Sequence, residues 1–274
     1  MKKLFAAALA LTMVLALAAC AKKPADAPAQ GGIATVKNGV LTVVTAPDFA
    51  PYEFYALDEK GEPHLAGLDM DLAQYIADYL GLELDVIPMD FDGTILELQS
   101  RKADLGMACY SPDLDRKDVM DFSDIYMVDE QVFLCLDGTA AQFADASAVN
   151  QAGVAIGVQV GSIQSDLAKE YAPQADTIGM AKVTDIVADL VSGKLDGAFL
   201  EKMVAESYEK IYPELCVAFE VDYADEGAVI GVSKGNEALL KAVNEALAAA
   251  AADGSMATFA AKAVEQAYGT VAPQ

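Results

Sequence analysis

Short apolar, β-branched runs alternate with stretches of helical period along most of this chain, and few folds accommodate that order. Leu41-Thr42-Val43-Val44-Thr45 is short and β-branched, which makes it a strand. Leu68 to Leu80 sets Leu68, Leu72, Tyr75, Ile76 and Tyr79 at helical spacing, and Gly81 ends the helix. Leu82 to Ile87 alternates like a strand and stops at Pro88. Asp92 is placed to cap a helix from Gly93, with Ile95, Leu96 and Leu98 facing inward. Asp104 to Ala108 reads as another strand. Downstream come a strand at Val154 to Val158, a helix opened by Gly161-Ser162, and a helix from Val183 to Val191 ended by Gly193. A strand at Asp196 to Leu200 and a helix near Lys202 to Lys210 follow. Glu237 to Ala252 and Ser255 to Tyr268 are Ala-rich and read as helices, with Gly269 as a stop. Strands alternating with helices mean α/β architecture with mainly parallel sheets.

Two such sets lie near 36–130 and 130–226, with no clear internal repeat between them. In open α/β sheets ligands bind beyond the C-terminal strand ends, so two facing lobes create a cleft there.

The N-terminus places this body outside the cytoplasm. Lys2 and Lys3 precede an apolar run over residues 4 to 19, and Leu17-Ala18-Ala19 stands directly before Cys20. A charged start, a short apolar core and small residues before a cut site describe a signal peptide, here residues 1–19. The run is shorter than the about 20 residues a spanning helix needs. Leu-Ala-Ala-Cys resembles the bacterial lipobox, which implies cleavage before Cys20 and a lipid on its thiol. Residues 20–35, rich in Ala, Pro and Gly, read as a flexible tether. The formal charge of −24 disfavours nucleic acid, whose phosphates need a basic face. Beyond Cys20, three cysteines remain, Cys109, Cys135 and Cys216, enough for at most one disulfide. With no Cys-x-x-Cys pair and His64 as the only histidine, zinc sites and Ser-His-Asp triads lack their parts, and no metal or cofactor is expected.

Six segments, in order over nearly the whole body, resemble one family. They are LTVVTAPDFAPYEF (Leu41–Phe54), GLDMDLA (Gly67–Ala73), DFDGTILEL (Asp90–Leu98), SPDLDRKDVMDFSD (Ser111–Asp124), GVQVGSIQ (Gly157–Gln164) and GKLDGAFLE (Gly193–Glu201). Together they are similar to the polar amino-acid class of bacterial extracellular solute-binding proteins, receptors for ABC importers. The resemblance implies an α/β, two-lobed type II periplasmic-binding-protein fold with a hinge and an interlobe ligand cleft. It implies lobe one at 36–129 plus 227–274 and lobe two at 130–226. Its expected partners are an amino-acid ligand and an ABC permease in the membrane, with the receptor itself a lipid-anchored monomer.

An amino-acid zwitterion needs a cation for its carboxylate and an anion for its ammonium. Arg116 occupies the family's carboxylate-binding position, and its planar fork suits bidentate binding. Its alternative is a surface ion pair within Asp115-Arg116-Lys117-Asp118. Glu201 stands where the family usually has Asp for the ammonium. Its alternative is a charge facing a helix dipole. By the same resemblance Ser111 faces the ligand head, Cys109 offers its backbone carbonyl and Ile163 its backbone N–H. Ser162 and Ile163 fall at a helix N-terminus, where free N–H groups favour a carboxylate, while Ser162 also suits a plain cap. Phe49 and Phe91 match two aromatic walls around the ligand side chain, against the plainer reading of core aromatics. Asp69 is read as a helix cap rather than a rim residue. Ala46 sits where receptors for basic amino acids often carry an acid, which tilts the expectation toward a neutral polar or apolar ligand. Two other functions use the same residues: a cyclohexadienyl dehydratase-like enzyme, with Glu201 or a low-pKa Cys109 in the chemistry, and a sensor without transport.

Overall fold

The computed structural model describes residues 32–113, 116–128, 130–223 and 227–270, with side chains through Ala267. The signal segment, Cys20 and most of the tether lie outside the described residues.

Along the chain, β1 (Val40–Thr45) leads into a small antiparallel sheet of β2 (Asp48–Phe49), β3 (Glu53–Leu57) and β4 (Pro63–Ala66). Next come α1 (Leu68–Leu80), β5 (Glu83–Pro88), α2 (Phe91–Gln99), β6 (Leu105–Tyr110) and β7 (Met120–Phe122). The middle holds β8 (Gln131–Leu136), α3 (Ala146–Val149), β9 (Ala155–Gln159), α4 (Ile163–Tyr171) and β10 (Asp176–Met180). Then follow α5 (Val183–Val191), β11 (Gly197–Glu201), α6 (Lys202–Ile211), β12 (Leu215–Glu220), β13 (Val229–Ser233), α7 (Glu237–Ala252) and α8 (Ser255–Thr270).

Two five-stranded sheets organise the molecule, in the orders β5-β1-β6-β13-β7 and β10-β9-β11-β8-β12. Each is half parallel and half antiparallel, not mainly parallel as expected. The first two pairings are parallel and the last two antiparallel in both. The inserted strands, β8 and β13, are the ones the chain reaches on passing from one sheet to the other, and each enters against its neighbours. The two sheets thus repeat one topology that the sequence does not repeat.

Helices cover both faces. On sheet one, α1 and α7 bury Leu72, Ile76, Leu239 and Val243 against Leu41, Val43 and Val232. On the other face, α2 packs Leu98 with Val44, Tyr110 and Met120. On sheet two, α4 seats Leu167 beside Phe133 and Phe199, while α5 and α6 cover the opposite side. Burying each such side chain stabilises by about 1.5–3 kcal/mol.

The structure moves one helix start. α2 begins at Phe91 with Asp90 in the capping position, two residues before the expected Gly93, and Asp92 lies in its first turn. That register buries Phe91, Thr94 and Leu98 at the i, i+3, i+7 positions and turns Leu96 outward, 58% exposed. α8 runs through Gly269 to Thr270 rather than stopping there, because one glycine costs a helix only about 1 kcal/mol.

Candidate functional site

The C-terminal ends of the parallel strands from both sheets converge. β1 delivers Phe49, β5 delivers Asp90 and Phe91, and β6 delivers Cys109 and Ser111. From sheet two, β9 delivers Gln159 and the Ser162–Ile163 helix start, and β11 ends on Glu201. Phe49, Phe91, Cys109, Ser111, Arg116, Ser162 and Ile163 all line one cavity, joined by Gln159 and Gln164, two residues the sequence did not single out. Only about 10 Å³ of open space remains there, less than the share of a single water. The lobes must part before an amino acid can enter.

Arg116 is no surface residue. It is buried at 6% exposure, and its guanidinium lies 5.6 Å from the Phe91 ring centre and 6.0 Å from that of Tyr110. It donates to the carbonyl of Gly161 at 2.9 Å across the cleft and more weakly to that of Ser111 at 3.5 Å. Asp113 stands 3.9 Å from its Nε. Burial pulls its pKa down, and Asp113 opposes that.

Glu201 is 3% exposed and accepts from the Cys109 thiol at 3.4 Å. It sits at the capping position of α6, where a charge faces the helix dipole as its alternative reading has it, but its side chain makes no capping bond. Ser162 does cap α4, accepting from the N–H of Ser165 and donating to the Gln159 carbonyl at 2.8 Å.

Asp69 lies in the first turn of α1 yet caps nothing: Gly67 holds the cap position. Its carboxylate is buried and accepts from the Tyr126 hydroxyl at 2.7 Å and the Cys109 N–H at 3.3 Å. That grip holds Cys109 at φ 48°, the left-handed region where a non-glycine residue is strained. Gly67 makes the arrangement reachable. Its φ is 118°, and a Cβ there would meet the Tyr52 carbonyl oxygen at 2.2 Å.

The site is strongly acidic underneath. Burial, then the Asp69 and Asp48 carboxylates, push Glu53 well above the usual carboxylate range. Burial pushes Asp69 up to about 6, and Asp48 likewise to about 6. Burial and the Glu201 charge push the Cys109 thiol far up, opposite to the low-pKa cysteine that the dehydratase-like alternative would use. Sequence reading missed Glu53, whose place in the Pro51-Tyr52-Glu53-Phe54 loop shows no sign of its depth.

Asp48 bridges the lobes. Its Oδ2 accepts from the Val183 N–H at 2.6 Å, at the start of α5, and from Gln159 Nε2 at 3.1 Å.

Comparison with known proteins follows the same lines. Residues 41–266 match the model of the bacterial extracellular solute-binding proteins, family 3. The chain is 31% identical over 211 residues to the arginine-binding extracellular protein ArtP of Bacillus subtilis, covering 76% of this chain and 79% of that protein. It is 28% identical over 181 residues to the cyclohexadienyl dehydratase of Pseudomonas aeruginosa, covering 66% of each. The crystal structure of an amino acid ABC transporter substrate-binding protein, AbpA, from Streptococcus pneumoniae bound to L-arginine superposes with a TM-score of 0.80 at 28% identity. It covers 84% of this chain and 96% of that one. The architecture is therefore the two-lobed type II periplasmic-binding-protein fold that the resemblance implied. By its cleft, its paired sheets and its match over 41–266, the chain belongs to the bacterial extracellular solute-binding proteins, family 3.

Proposed function

We propose that this chain is the solute-capturing receptor of an ABC importer and traps an amino acid between lobes 36–129 plus 227–274 and 130–226. It works outside the cytoplasm, as its family does. Among the described residues no helix is long and apolar enough to cross a membrane. A lipid on Cys20 and the following tether hold the body at the membrane surface, as a monomer and without catalysis.

Arg116 carries the reading. Among the described residues its polar contacts are two carbonyls and a carboxylate at 3.9 Å, a weak set for a buried guanidinium. A ligand carboxylate supplies a strong bidentate partner. Ser111 and the N–H groups at Ser162 and Ile163 surround the same cavity and add donors. Glu201 receives the ammonium from the sheet-two side, above the acids Glu53 and Asp69. Phe49 and Phe91 flank the side chain, and the Cys109 carbonyl completes the head-group contacts. Arg116 binding Gly161 across the cleft couples carboxylate capture to closure. The dehydratase-like alternative would use Glu201 or Cys109; burial and the neighbouring acids push the Cys109 thiol far up, which speaks against its thiol arm. Side-chain preference stays with a neutral polar or apolar amino acid.

Arg116→Ala should weaken amino-acid binding by several kcal/mol, since a buried carboxylate then loses its partner. Isothermal titration of the ligand-stripped protein measures this, and binding as tight as the parent's would remove Arg116 from the site.

A further inference from the structure

Glu53 does not line the ligand cavity, yet it lies directly beneath the residues that do. It is 1% exposed on β3, and neither of its carboxyl oxygens has a hydrogen-bond donor among the described residues. A carboxylate buried that way is costly, and the group takes a proton instead. Asp69, fully buried on α1, stands within hydrogen-bonding reach of it. Both Asp69 oxygens already accept, one from the Tyr126 hydroxyl and one from the Cys109 N–H. The pair is therefore a neutral Glu53 donating to an ionised Asp69: two carboxyls, one proton, one negative charge.

The groups that face Glu53 keep this proton in place. Asp69 from α1, Asp48 from β2 and Glu201 from β11 bring negative charge. The Cys109 thiol and Tyr110 hydroxyl from β6, and the Tyr126 hydroxyl beyond β7, are held neutral by burial. None of these six is a cation. Cys109 links the pair to the ligand: it lines the cavity, gives its N–H to Asp69 at 3.3 Å and rests its thiol on Glu201 at 3.4 Å. An ammonium held at Glu201 brings positive charge to this cluster, and positive charge favours the ionised carboxyl.

We infer that the Glu53–Asp69 pair gives up its shared proton to solvent when the ammonium binds, which makes Glu53 a positioning residue of the ammonium site and couples capture to proton release. This rests on Glu201 receiving the ammonium. The empty cleft stores a proton in place of one more bare charge, and the loaded cleft gains that charge where the ammonium can use it. Affinity then rises with pH, by about tenfold per pH unit for a whole proton released and by less for a fraction.

Titration calorimetry on the full, ligand-stripped chain tests it, with the standard L-amino acids as probes. Binding heats at pH 7.5 in phosphate and in Tris, which differ widely in ionisation heat, count the protons released. A probe that binds should release about 0.3 proton or more, and its affinity should rise about twofold or more per pH unit between pH 6.5 and pH 8. Glu53→Gln keeps a neutral donor to Asp69 and should abolish the release and flatten the profile. The difference between parent and variant removes any proton the probe itself exchanges. Infrared spectroscopy reads the same proton directly: the protonated-carboxyl band of the empty parent at pH 7.5 should weaken on adding the probe and in Glu53→Gln. Binding without proton release in the parent, release that persists in Glu53→Gln, or a band that neither change weakens overturns the inference and leaves the head-group reading standing. That reading fails separately, by Glu201→Gln binding every probe as tightly as the parent or by no probe binding at all, and the inference falls with it.

Discussion

At Cys109 three constraints meet in one residue: a left-handed backbone, an N–H held by Asp69, and a thiol resting on Glu201. Strain of this kind costs about 1–3 kcal/mol and persists only where neighbours fix it, as Asp69 and Tyr126 do here. The thiol itself is inert, because burial and the acids around it hold it protonated. Iodoacetamide at pH 7.5 should therefore label Cys216, which is half-buried, well before Cys109. Peptide mass mapping reads the order, and fast labelling of Cys109 would contradict the burial and charge described. Gly67→Ala should be severe by the same network, since its Cβ would strike the Tyr52 carbonyl that anchors the start of α1. A loss of a few kcal/mol in denaturant titration is expected. Much at this scale was legible in the chain. Arg116 and the two aromatics, singled out through their surrounding motifs, do line one cavity. Asp69 did not, because an acid in the first turn of a helix looks the same whether it caps that helix or grips a strand 40 residues away.

The elements follow their hydrophobic period closely where that period is strong. α1 and α5 fall at the expected bounds, each followed by a left-handed glycine, Gly81 and Gly193. α2 shifted because Asp90 and Asp92 both suit a cap, and burying Phe91 decided between them. Strand direction was less legible, since β8 and β13 carry apolar runs that fit either orientation. Pairing sets one further expectation. Cys135 on β8 stands directly opposite Cys216 on the antiparallel β12. Opposed residues on such strands lie about 4.5–5.5 Å apart at Cα, within the range a disulfide spans. Treatment with diamide, which takes up the two thiol hydrogens, should join Cys135 to Cys216 and leave Cys109 free. Non-reducing peptide mapping would show it, and a bridge to Cys109 would contradict the register.

Over the whole molecule, charge is the dominant strain. The chain carries −24 formal charges, and Asp48, Glu53, Asp69 and Glu201 are buried around the cleft. Burial raises Asp48 and Asp69 from 3.8 to about 6 and pushes Glu53 well above the usual carboxylate range. A raised acid contributes stability that is complete below its unfolded pKa and lost as pH rises through the folded one. Exposed acids with lowered pKa, such as Asp58 and Asp145, act oppositely, losing their contribution only as pH falls through about 4 and below. Relief of self-repulsion adds to the first trend. The ligand-free protein should melt higher at pH 5 than at pH 7.5 and lose stability below pH 4, and Asp48→Asn should flatten the rise. A melting temperature that climbs from pH 5 to pH 7.5 would contradict this. In the proposed binding mode, an ammonium held at Glu201 near Glu53 and Asp69 would relieve part of their repulsion.

Capture of an amino acid through Arg116 is the central claim, and a melting-shift panel tests it most directly. The protein is first stripped of retained ligand, then heated with each amino acid in turn, for the parent and for Arg116→Ala. A ligand at about 100 times its dissociation constant adds about 2.7 kcal/mol of stability, a shift that is easily read. At least one amino acid should raise the parent's melting temperature, and that rise should vanish in Arg116→Ala. No shift with any amino acid, or an equal shift in both proteins, would contradict it.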